Sequence, residues 1–173
     1  PFDTLTHLDL GDLVGVDGTA FKSRRGELSL LATSWTLLAK SLRAPPEKVY
    51  RAFTEADAMA KWLPPYGFIC TVQHMEARVG GSFRMSFHNF SSGNGHSFGG
   101  EYLELVPNER IRYTDRFDDP NLPGVMEVTV SLTPVLCGTE LSISQTGIPA
   151  PIPLEMCYLG WQESLTQLAA LVE

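Results

Sequence analysis

Ten residues of this 173-residue chain are of the types that build an apolar binding pocket: Trp62, Phe83, Met85, Phe87, Tyr102, Tyr113, Val128, Val130, Cys157 and Trp161. Large aromatic rings with a methionine suit an apolar or aromatic small molecule. Binding it removes apolar area from water, at about 25 cal/mol per Å². Tyr102 and Tyr113 add hydroxyls able to orient such a guest. The same side chains equally suit a filled core, and residue types leave both readings open. Two carboxylates are weak candidates for acid–base work. Strand alternation puts Glu104 on the face of Tyr102 and Asp115 on the face of Tyr113. An inward carboxylate beside a tyrosine polarises a carbonyl or shuttles a proton. At a strand end or rim it becomes an ion-pair partner for an arginine on the next strand.

Other chemistries lack their residues. His74, His88 and His96 have no metal-ligand spacing, and no C-x-x-C or H-E-x-x-H occurs, so no metal or cofactor is expected. Asp115, Asp118 and Asp119 cluster near a turn without the ligand series of a calcium loop, which reads as a solvated loop. Gly93-x-Gly95 is followed by neither a third glycine in register nor a lysine, so no phosphate loop is expected. There is no G-x-S-x-G elbow. Cys157 has no histidine placed beside it and reads as a buried structural thiol. His88 alternates with Phe87 and faces away from the aromatic row. The sequon Asn89-Phe90-Ser91 reads as chance.

Charge and composition narrow the partners. Thirteen Lys+Arg against 20 Asp+Glu give a net charge of −7, which disfavours nucleic acid and anionic membranes. With 43% apolar and 19% charged residues, the chain has the composition of a globular fold of one domain's length. No apolar run reaches the roughly 20 residues of a membrane span, so no membrane insertion is expected. Three scattered cysteines and the absence of a leader fit a reduced, cytoplasmic setting. The start at Pro1 reads as a processed or trimmed end.

These side chains need elements to position them. Residues 1–29 read as an extension, a strand or hairpin or a partly mobile segment, whose Lys22-Ser23-Arg24-Arg25 cluster is a solvated loop. Leu28 to Leu42 alternates as a strand from Thr36 onward. Pro45-Pro46 opens a short helix, Glu47 to Ala52, with Val49, Tyr50 and Phe53 at helical spacing. Ala56 to Trp62 is a second, stopped by Pro64-Pro65. Then come strands at Phe68 to Glu76, Ser82 to Phe90, Ser97 to Val106, Arg110 to Phe117, Met126 to Pro134 and Glu140 to Thr146. Tight turns join them into an antiparallel meander. The last helix, Pro153 to Val172, carries one apolar stripe: Leu154, Cys157, Tyr158, Trp161, Leu165, Leu168 and Val172. That stripe must be buried, and the concave face of the sheet is the surface left for it. The result is an α+β fold, with six to seven strands curved around a long C-terminal helix.

Several segments carry a family resemblance: Ala44-Pro45 before a helix, Ala60-Lys61-Trp62, Val79-Gly80-Gly81-Ser82-Phe83, and the run from Gly100-Glu101-Tyr102 through Pro107-Asn108-Glu109-Arg110. Glu127-Val128-Thr129-Val130, Gly138-Thr139-Glu140-Leu141 and Gly160-Trp161 with Ser164-Leu165 complete it. Together, over residues 30–173, they resemble the activator of heat-shock-protein-90 ATPase homologue-like family of the START-like, Bet-v-1-like (SRPBCC) superfamily. The resemblance implies a helix-grip domain with a cavity between sheet and long helix. It also implies three functions to weigh: binding of a small apolar molecule, lipid-like or polyketide-like, a chaperone-associated role, and a cyclase- or hydratase-type enzyme in the same cavity. A non-catalytic binding protein is the first expectation. Either a monomer or a homodimer fits, the latter through an N-terminal strand pairing with a neighbour's edge.

Overall fold

The computed structural model describes residues 13–23 and 25–173. Residues 1–12 lie outside the described part, and so does the expectation placed on them. The chain divides into two compact units, residues 1–41 and residues 42–173. In the first, β1 (Leu13–Lys22) pairs antiparallel with β2 (Leu28–Leu42), from Lys22 opposite Leu28 to Leu13 opposite Ala39. The two strands form a hairpin. Its turn closes through Ser23 N–H to Glu27 O at 2.8 Å.

The second unit begins with two helices, α1 (Pro46–Thr54) and α2 (Ala56–Trp62). Pro46 sits in the first turn of α1, where its missing N–H costs no intrahelical bond. Val49, Ala52 and Phe53 form its buried face, and Met59 and Trp62 that of α2. Trp62 locks the two helices together. Its Nε1–H donates to Ala52 O at 2.8 Å, and its ring meets Phe53 edge-on with centroids 4.6 Å apart.

Six antiparallel strands follow: β3 (Phe68–Met75), β4 (Ser82–Asn89), β5 (Gly95–Val106), β6 (Arg110–Phe117), β7 (Met126–Val135) and β8 (Gly138–Thr146). Each pairs with the next, making the expected meander. Two strands start earlier than expected. β5 begins at Gly95, which pairs with His88, because Asn89 Oδ1 closes the turn by accepting from the N–H groups of Ser91 and Ser92. β8 begins at Gly138, opposite Val135. The C-terminal helix α3 (Leu154–Val172) completes the helix-grip arrangement, with Pro153 as its N-cap. Leu168 and Val172 of its stripe are fully buried, and Leu165 and Trp161 pack against the core. The side chain of Leu154 lies outside the described residues.

Gly138 is where two backbones come too close for any side chain. It has φ 148°, and a Cβ there would stand 1.9 Å from Leu42 O. The next residue, Thr139, is fully buried and donates its hydroxyl to Ala44 O at 2.7 Å. Gly138→Ala therefore adds both a clash with backbone and a strained dihedral. It is expected to lower unfolding free energy by roughly 2–4 kcal/mol, measured by urea denaturation.

Candidate functional site

Between α3 and the sheet lies a cavity of about 240 Å³. Strand alternation builds its floor. On β4, Phe83, Met85 and Phe87 point into it; on β5, His96, Phe98 and Tyr102; on β6, Tyr113, Asp115 and Phe117. The register sets these rings side by side: Met85 opposite Phe98, Phe87 opposite His96, Phe98 opposite Phe117, Tyr102 opposite Tyr113. Val128 of β7 and Gln145 of β8 extend the wall. The roof is α3, through Met156, Cys157, Gly160, Trp161 and Ser164. Phe53, Met59, Leu63 and Pro65 line the end beneath α1 and α2.

Hydrogen bonds hold the roof in place. Ser164 donates its hydroxyl to Leu63 O at 2.6 Å, and Gln167 donates its amide to Pro64 O. Glu163 accepts from the Tyr66 N–H at 3.1 Å. Trp161 Nε1–H donates to Gln145 Oε1 at 3.0 Å, bridging roof and floor.

Eight of the ten expected pocket residues line this cavity: Phe83, Met85, Phe87, Tyr102, Tyr113, Val128, Cys157 and Trp161. Trp62 and Val130 do not. Trp62 is fully buried between α1 and α2, its indole N–H spent on Ala52. Val130 is fully buried opposite Ile111, one pleat away from Val128 in the packed core. The two carboxylates also part company. Asp115 lines the cavity. Glu104 does not: the register slips between Tyr102 and Glu104, and Glu104 meets Arg112 at 3.5 Å and Arg110 at 3.6 Å. That is the ion-pair alternative, completed by Arg112 with Glu127 at 2.6 Å. Cys157 lines the cavity rather than being sealed in the core. His96, Phe98, Phe117 and Gln145 were missed by residue type, although each has its signal. His96 and Phe98 share parity with Tyr102, Phe117 with Tyr113, and Gln145 with Leu141.

The activator of Hsp90 ATPase homolog 1-like family model matches residues 43–173, the whole of the unit that contains the cavity except Leu42. The chain belongs to this family. A crystal structure of a Chromobacterium violaceum protein is 64% identical, covering 79% of this chain and 94% of that one with TM-score 0.78. A Rhodobacter sphaeroides structure is 23% identical over 77% of this chain and 88% of its own, TM-score 0.69, a likeness of fold alone. So is that to an AHSA1-like protein from Aeromonas hydrophila, at 20% identity, 78% and 89% coverage and TM-score 0.65. Among curated proteins, lysine-tRNA ligases of Bacillus cereus and Bacillus cytotoxicus match 49 residues at 53% and 42 residues at 62% identity. These stretches are 28% and 24% of this chain but 10% and 8% of the ligases, so the chain spans about a tenth of those curated relatives.

In this family member the cavity's electrostatics centre on Asp115. The residue keeps some exposure, yet its Oδ1 is sealed from water and has no hydrogen-bond partner among the described residues. Burial raises its carboxyl to about 7, with the Arg116 backbone N–H pulling partly the other way. The Tyr113 hydroxyl is pushed well above its ordinary value by burial, then by the Asp115 charge. Burial lowers the His96 ring, which is therefore neutral at pH 7, and raises the Cys157 thiol. No Lys or Arg lines the cavity. Among the described residues no cluster of His, Cys, Asp or Glu could hold a metal ion, and no helix is long and apolar enough to cross a membrane.

The raised carboxyl has a consequence for stability. Below the unfolded-state value, near 4, both states hold the proton. Between about 4 and 7 the native state keeps a proton that the unfolded chain has lost, so stability falls as pH rises. Asp115→Asn removes this dependence. The variant is expected to gain stability over the parent at pH 8, by up to about 4 kcal/mol, and to gain almost nothing at pH 4. Urea denaturation at the two pH values measures the difference.

Proposed function

We propose that the protein binds a small apolar or aromatic molecule in the cavity between the sheet and α3. The observation behind this reading is about 240 Å³ of space walled by aromatic rings, Met85, Met156 and Val128. A cavity of about 150 Å³ admits benzene, so this one has room for a one- or two-ring guest. Apolar walls gain most from displacing water, and the few polar groups set orientation. Phe87 and Trp161 stand on opposite sides, floor and roof, so a guest would touch both. A chaperone-associated role is carried by the family description alone. An enzyme of the cyclase or hydratase type would have Asp115 as its acid or base, since Glu104 is engaged by arginines outside the cavity.

Native mass spectrometry of protein from its own cells tests the reading. The expected result is an adduct that disappears on denaturation. The extracted compound is expected to stabilise the apo protein, by about 2.7 kcal/mol when present at a hundred times its Kd. Phe87→Ala and Trp161→Ala are each expected to weaken its binding by roughly 10–100-fold, the worth of one buried ring face. Equal native and denatured masses, with no apolar compound shifting Tm, would overturn it.

A further inference from the structure

We propose that the cavity selects organic amines: the ammonium group sits against Asp115 and the hydrocarbon part lies among the aromatic rings. This rests on the reading of the cavity as a small-molecule site and names the ligand class.

The chemistry comes from what the cavity offers and lacks. Asp115 Oδ1 is sealed from water and unpartnered, so it is an acceptor with nothing yet to accept from. A buried acceptor without a donor costs free energy that a ligand N–H would recover. Two other polar side chains in the wall, Gln145 and Ser164, are already engaged. Gln145 accepts from Trp161 and donates to Met126 Sδ, and Ser164 donates to Leu63 O and Gly160 O. An anionic guest would meet the Asp115 charge with no lysine or arginine in the wall to offset it.

Position supports a cation as well as a donor. Asp115 stands on β6 between Tyr113 and Phe117, two residues from each and on their face. Tyr113 belongs to one ring group, with Phe83 at 5.6 Å and Tyr102 at 6.2 Å between centroids. Phe117 belongs to another, with His96 at 5.6 Å and Phe98 at 6.4 Å. A cation at the carboxylate is therefore flanked by aromatic rings on both sides, and ring faces attract cations when water is excluded. The ionisable groups facing the same space are His96 and Tyr102 from β5, Tyr113 from β6 and Cys157 from α3. β7 contributes Val128, and opposite Asp115 it carries Met126. At pH 7 none of these carries a charge that competes with the ammonium, because burial disfavours the charged form of every one.

An ammonium at Asp115 favours the ionised carboxylate, so binding releases the proton that the empty site holds. Amine affinity must then rise with pH through about 7. A carbonyl guest accepting a hydrogen bond from the protonated acid would show the opposite slope.

Calorimetric titration of the whole chain with 2-phenylethylamine, 2-phenylethanol and phenylacetate, at pH 6 and pH 8, tests this. The amine is expected to bind at least tenfold more tightly than the alcohol at pH 8, with a smaller advantage at pH 6. Phenylacetate is expected to bind most weakly at both. In Asp115→Asn the amine-to-alcohol ratio is expected to fall to twofold or less. A second readout needs no variant: the Asp115 carboxyl midpoint, followed by 13C NMR, drops by at least one pH unit in saturating amine. If the alcohol binds and the amine shows no advantage at pH 8, or its advantage survives in Asp115→Asn, the amine assignment is wrong and the cavity reading stands. An unmoved carboxyl midpoint in saturating amine also overturns the assignment. If none of the three binds, the amine assignment falls, and the cavity reading is decided by the comparison of native and denatured masses.

Discussion

The fold depends on how α3 is anchored. Its C-terminal half is docked: Leu168 and Val172 are fully buried, Ser164 and Gln167 reach the carbonyls after α2, and Glu173 accepts the Arg43 N–H at 3.0 Å. Towards its N-terminus α3 meets the sheet through Trp161 and Gln145. A helix pinned at one end and propped by an indole at the other cannot settle onto a floor of phenyl rings. The space beneath it is the geometric result. Close packing fills interiors wherever side chains can reach one another, so a void of this size persists only where backbone elements are held apart.

That constraint explains Asp115. A carboxylate on an inward strand face normally finds a donor or is replaced by an apolar residue. Here Oδ1 has no partner among the described residues, and burial raises the group's affinity for its proton. The sheet's other carboxylates show the ordinary solution. Glu104 and Glu127 share Arg112, half in solvent, where such pairs are worth little individually but leave no charge alone. The same β6 strand thus carries a neutralised charge on its outer face and an uncompensated one on its inner face. The first serves solubility and register. The second costs stability, a cost that binding sites commonly carry and packed cores do not.

Much of this was legible in the residues. Proline pairs mark where α1 begins and α2 ends, two-residue periodicity marks β6 to the residue, and the apolar stripe of α3 identifies the helix that must cover the sheet. Alternation also placed most of the aromatic row on one face. It failed where a physical event broke the period. The bulge between Tyr102 and Glu104 moved Glu104 out of the face its parity implies. Gly99 and Gly100 interrupt the apolar reading of β5 and hid His96 and Phe98. The glycines are themselves required, since a Cβ at Gly100 would stand 1.8 Å from Thr114 O. Trp62 and Val130 were misplaced for a different reason. Residue type distinguishes apolar from polar, but not a side chain facing a void from one facing another side chain.

The distinction between void and core decides what the aromatic row means. The rings form two edge-to-face groups, one around Tyr113 and one around Phe117, with Asp115 between them on β6. An apolar wall alone would discriminate guests mainly by size, since one methylene is worth only about 1–3 kcal/mol. On the proposed reading, a single sealed acceptor in that wall would discriminate by chemistry. Any guest that fails to donate leaves the acceptor unpaired, a penalty of about 1–3 kcal/mol added to whatever shape contributes. On the proposed reading, one buried carboxyl would give an otherwise undemanding cavity a preference, and its destabilising effect in the empty protein would be the counterpart of that preference.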